Sequence, residues 1–264
     1  MPRYLVTVTA VAAIVLLPSC HRAASSKATV DPNGVPRTAD GKPDLTGVWQ
    51  PDSDRPGTWE EANQGNGVPD PGTGSRARKA EPIPYQPWAA AKVLEAYNRR
   101  YVDNPVARCI PQLDLGAGGL YPNQFIQTPK AVVILIESRH VYRLITLDEK
   151  HPDDVDPSYL GDSVGHWEGG TLVVDVTGFK EQLEGSEVHS DQWHIAERFT
   201  RVDYNTINYQ ATLEDPKALT RPWHITSKYM LRPGTWLQEH VCEENNQDPA
   251  NFAVMMKKGL ITRK

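Results

Sequence analysis

Apolar and polar residues alternate along two runs on either side of Gly169-Gly170, Asp162–Glu168 and Thr171–Thr177, and a period of two is the mark of a half-buried strand. A Gly-Gly pair supplies the positive φ of a tight hairpin, so the two runs are predicted to fold back antiparallel. The turn also sets the register, with Glu168 opposite Thr171, Trp167 opposite Leu172 and Gly165 opposite Val174. One face then carries Ser163, Trp167, Leu172, Val174 and Val176. The other carries Asp162, His166, Glu168 and Asp175 among Val164 and Val173.

The same alternation recurs along the chain. It predicts strands over Leu45–Gln50, Gln124–Thr128, Ala131–Glu137, His140–Leu147, His194–Asp203, Thr206–Glu214, Trp223–Leu231 and Trp236–Cys242. Short turns such as Ser138-Arg139 and Tyr204-Asn205 join most of them, which makes sequential neighbours antiparallel and gives a meander of about nine or ten strands. A meander of that length removes its edges by closing on itself. Two stretches break the pattern. Residues 51–84 are rich in Pro, Gly, Asp and Asn without a period, and read as a long surface loop. From Pro87 to about Val102 the spacing becomes helical, with Ala90, Leu94, Tyr97 and Tyr101 on one face.

With 264 residues, of which 39% are apolar and 23% charged, the chain suits one large β domain. A formal charge of −5, with no stretch that concentrates Lys and Arg, argues against a nucleic-acid partner. Met1-Pro2-Arg3 and the apolar run Tyr4 to Leu17 have the charged start and short core of a secretory signal, predicted to occupy 1–19 and to be removed. Residues 20–42 are small and polar and read as a tether, 43–245 as the barrel domain and 246–264 as a C-terminal extension. Leu17-Pro18-Ser19-Cys20 resembles a bacterial lipobox, which implies cleavage before Cys20 and a membrane anchor through a lipid on its sulfur. Because His21 and not Asp follows, the periplasmic face of an outer membrane is the expected address. The two other cysteines, Cys109 and Cys242, form an even pair in an oxidising compartment and read first as a disulfide, the alternative being two buried thiols.

Gly47-Val48-Trp49 resembles the G-x-W of the lipocalin first strand. Together with the meander and the Cys-bearing end it implies an all-β fold, a lipocalin-like antiparallel β-barrel of about eight to ten strands with one helix. The motifs PDLTGVW (Pro43 to Trp49), QTP (Gln127 to Pro129), GDSVGHWEG (Gly161 to Gly169), HS (His189, Ser190), ERF (Glu197 to Phe199), EDP (Glu214 to Pro216) and RPW (Arg221 to Trp223) resemble a family of secreted bacterial proteins of unknown function. The resemblance covers most of 43–245 and carries no activity with it. Gly170 departs from the Asp expected after Trp167-Glu168-Gly169.

Gly161-Asp162-Ser163-Val164-Gly165 fits G-x-S-x-G, but a hairpin strand follows where a nucleophile elbow needs a strand-to-helix turn. His166, Glu168 and Asp175 share the polar face of the central hairpin, either as an acid–base or metal-binding group or as a solvated network. His189 lies on a loop leading into a strand and could act as acid or base with Glu197, a carboxylate on an aromatic face whose burial would raise its pKa. The other reading of Glu197 is a salt bridge to an arginine such as Arg143 or Arg201. There is no H-x-x-x-H on a helix, no CxxC, no EF-hand loop and no phosphate or dinucleotide loop, so neither a metal nor a cofactor is expected. Trp49, Tyr209, Trp223 and Tyr229 fall on one parity of their strands and are the expected lining for a small hydrophobic or aromatic ligand. Three readings follow: a lipid-anchored binding protein, an isomerase, lyase or hydrolase on the same barrel, and a structural envelope lipoprotein, which a solidly filled interior would favour.

Overall fold

A computed structural model describes residues 29–51, 82–99, 101–113, 115, 121–185, 187–244 and 246–261. The expected signal peptide over 1–19, Cys20 and most of the expected 51–84 loop lie outside these residues. A small hairpin, β1 (Thr29–Val30) and β2 (Pro36–Arg37), precedes a closed barrel. Its strands are β3 (Gly47–Pro51), β4 (Asn123–Gln127), β5 (Ala131–Ile136), β6 (Val141–Leu147), β7 (Asp162–Glu168), β8 (Thr171–Thr177), β9 (His194–Arg201), β10 (Thr206–Glu214) and β11 (Trp223–Leu231). Each pairs with its neighbours in chain order, and β11 closes the ring against β3.

The central hairpin takes the register set by its turn, with Glu168 on Thr171, Trp167 on Leu172 and Gly165 on Val174. Gly169 adopts the left-handed φ of 59° that the turn requires. Gly165 meets a different demand. A Cβ there would stand 2.8 Å from the Ile145 side chain and 3.3 Å from Leu172, so only glycine lets β6 and β8 pack so closely across β7.

Three expectations are corrected. The barrel is mixed rather than wholly antiparallel, because β6 and β7 run parallel. Nine strands cannot alternate direction all the way round a ring, so at least one neighbouring pair must point the same way. The chain makes that pair where its connection is long: residues 148–161 return along the outer wall from the Gly169 end to the opposite end, which we call the mouth. The stretch Trp236–Cys242 is not a strand: the ring closes between β11 and β3 without it, and it forms no ladder. It runs back to the mouth instead, with Arg232 N donating to Val48 O and Gln238 N to the Glu137 carboxylate. Finally, among the described residues there are two α-helices and not one. Helix α1 (Pro87–Asn98) stops short of Val102 because Tyr101 turns left-handed at φ 55°. Helix α2 (Asp248–Lys257), in the C-terminal extension, lies against the short turn of helix at Pro105–Arg108.

The core fills the bore. Trp49, Tyr209, Trp223 and Tyr229 are between 0% and 2% exposed, and Phe125, Phe199, Tyr209 and Tyr229 meet with ring centroids 5.0 to 6.2 Å apart. At the Gly169 end the Arg201 guanidinium lies 4.9 Å from the Trp49 ring. Cys109 and Cys242 form a disulfide with Cα atoms 5.6 Å apart across 133 residues. It ties the segment after β11 to the turn that follows α1.

Candidate functional site

Strand β9 sets out the interior as a column, because its odd-numbered residues from Ile195 to Arg201 all point inward. Midway down, Glu197 accepts from Arg143 Nη1 at 3.1 Å, from Arg143 Nη2 and from the Tyr209 hydroxyl at 2.8 Å. Arg143 Nε donates to Ser163 Oγ at 2.9 Å. Of the two readings of Glu197, the ion pair is the one found. Burial pulls the Arg143 pKa down, but the Glu197 carboxylate, together with the Tyr209 and Tyr229 phenols, more than offsets it and holds it above the usual value. Burial also lifts the Tyr209 phenol well above its ordinary range. Ser163 is thus a hydrogen-bond partner in the buried interior, and His189 shares no hydrogen bond with Glu197. The proposed acid–base pair is not assembled.

His189 sits instead at the mouth. Loop 178–193 carries it there, held by Asp215, whose buried carboxylate accepts from Ser190 N at 2.6 Å, Ser190 Oγ at 2.7 Å and the Lys217 and Ala218 amides at 3.0 Å. The HS and EDP motifs are therefore one structural unit. The imidazole stacks on Trp193, with centroids 5.1 Å apart and planes 26° apart, and meets Phe179 in a T-shaped arrangement with centroids 6.1 Å apart. Burial lowers the His189 pKa below the ordinary histidine value, against an upward pull from the Ser190 carbonyl and from Asp215 and Glu181.

These three rings, with Leu113, Leu115, Tyr159 and Ile195, line a cleft that opens to solvent, and Lys180, Gln182, Gln112 and Glu187 stand on its rim. It encloses about 40 Å³, room for two or three waters or the edge of one ring. Lys180 extends its ammonium 4.8 Å above the Tyr159 ring. Of the cleft residues only His189 was marked by the sequence as a site. Trp193 shares the parity of Ile195 and Glu197, which could have placed it at the same end. Phe179, Tyr159 and Lys180 arrive through the 148–161 crossover and loop 178–193, which carry no period.

The outer wall holds the third group. Glu168 bonds His166 at 3.2 Å and pairs with Arg198 at 2.9 Å, and Arg198 chiefly lowers its pKa. Asp175 does not join them. Its two oxygens take His194 Nε2 at 2.7 Å and His151 Nε2 at 2.9 Å, while His151 Nδ1 reaches Asp162 at 2.6 Å. This is a solvated cross-strand network, and among the described residues no three donors converge as metal ligands do. The four aromatic side chains expected to line a ligand pocket are all in the packed core.

The chain matches no family model, no curated protein and no solved structure.

Proposed function

We propose that this protein binds a small aromatic molecule at the mouth of its barrel, against the His189–Trp193 stack, and not inside the bore. The observation that carries this reading is the cleft itself: an aromatic floor with a few polar groups on one rim, open to solvent at the end of a rigid barrel. A bore filled by Phe125, Phe199, Tyr209 and Tyr229 has no place for a guest, so the lipocalin mode of binding is set aside. Proton-transfer chemistry is less well supported, since the buried carboxylate is held by Arg143 and Tyr209.

The same reading places the protein outside the cytoplasm, tethered through Cys20. A Cys109–Cys242 disulfide supports an oxidising compartment, and residues 21–28 would reach at most about 30 Å from the anchor to the hairpin that precedes the barrel.

Titration with toluene, followed by nitrogen–proton correlation spectra, tests the site. Toluene should shift the Trp193 indole and His189 resonances and leave those of Trp49 and Tyr209 in place. Shifts confined to Trp49 and Trp223 would return the ligand to the bore, and no shift with any single-ring aromatic would end the proposal.

A further inference from the structure

We infer that the mouth cleft selects aromatic molecules bearing an uncharged hydrogen-bond donor on the ring, a phenol being the simplest, with His189 Nε2 as the acceptor. The inference rests on the cleft being the binding site and adds what the site reads. Nδ1 of His189 lies 3.2 Å from the Ser190 carbonyl oxygen. A carbonyl can only accept, so this nitrogen carries the proton and Nε2 of the neutral ring is left with a lone pair. Among the described residues Nε2 makes no hydrogen bond.

The packing around the ring favours this orientation. Trp193 covers one face, Phe179 packs against the ring in a T-shaped arrangement, and Asp215 fixes the adjoining Ser190 by both its amide and its hydroxyl. A half-buried acceptor in an aromatic cleft is satisfied by water until a ligand donor replaces it, and a ligand without a donor displaces that water at a loss. Charge on the rim is balanced, with Lys180 against Glu187, so nothing there favours a ligand with a full charge over a neutral hydroxyl.

The test compares phenol, anisole and toluene as ligands of the whole chain by saturation-transfer NMR, for the natural protein and for His189→Phe, which keeps a ring on Trp193 and removes the acceptor. The natural protein should bind phenol about three- to tenfold more tightly than anisole or toluene, the range of one neutral hydrogen bond. The variant should still bind toluene and lose the preference. Equal binding of phenol and anisole by the natural protein, or a preference that survives in His189→Phe, overturns the inference while leaving the cleft a binding site. Failure of all three probes to bind overturns the site and the inference together.

If His189→Phe does not fold, acid titration of the natural protein replaces it. Once His189 is protonated Nε2 donates, so the phenol preference should vanish, and its persistence overturns the inference. Anisole at each pH controls for Lys180, Glu181, Glu187 and Asp215, the other charged groups that face the ring or line the cleft.

Discussion

Arg143 Nη1 lies 3.1 Å from Glu197 Oε1 at the centre of the barrel, where the two side chains are 3% and 0% exposed. Two charges without water hold each other in place, and each is costly without the other. Glu197→Leu alone should therefore destabilise the fold by about 3–5 kcal/mol in urea denaturation, because it strands the guanidinium. Adding Arg143→Met should recover most of that loss. A double variant no more stable than the single one would show that the pair does not act as a unit.

Gly165 gives a steric test. With 2.8 Å between a new Cβ and the Ile145 side chain, Gly165→Ala should cost about 1–3 kcal/mol by overpacking. The hairpin itself should survive, as circular dichroism below the melting point would show. Gly169→Ala strains only the turn and leaves the core alone, so its enthalpy of unfolding should stay closer to that of the natural chain.

The disulfide closes a loop spanning 133 residues, and its loss should lower stability by about 2–5 kcal/mol. Cys109→Ala with Cys242→Ala should melt lower than the oxidised natural protein and show no further response to reductant. Protein taken from its native cells should give no thiol-labelling at Cys109 or Cys242. Labelling at both would contradict residence in an oxidising compartment.

The lowered pKa of His189 has a definite sign. Folding favours the neutral ring, so the unfolded chain binds the extra proton first as pH falls. The contribution is fully present above the ordinary histidine value. It is lost progressively as pH drops from there toward the lower folded value. Thermal melts across this window should fall more steeply for the natural protein than for His189→Phe, and parallel curves would show that the loss arises elsewhere.

Much of the barrel was legible because a strand states its own parity. The burial of Leu172, Val174 and Val176 on one side and the exposure of His166 on the other follow from period two and one Gly-Gly turn. The direction of β7 relative to β6 was not legible, since it depends on where a connection without a period travels. Trp236–Cys242 has the residues of a strand but the ring closes without it, and pairing is a property of the whole sheet. The site was half visible for the same reason. His189 stood out as a lone imidazole before a strand, yet its true companions, Trp193 and Phe179, are brought together by the mouth rather than by spacing. Glu197 stood out through its aromatic surroundings, and those surroundings hid it.

Closure of the wall decides how anything large could approach. Every barrel strand has a neighbour on each flank, so the wall offers a foreign strand no edge that is free along its whole length, although β11 meets β3 only over Tyr229–Leu231 and β6 meets β7 only over Ile145–Leu147. A macromolecule that touches the fully laddered side, from β7 through β8 and β9 to β10, must therefore recognise side chains, and the short seams are where the wall's own backbone stands open to a partner.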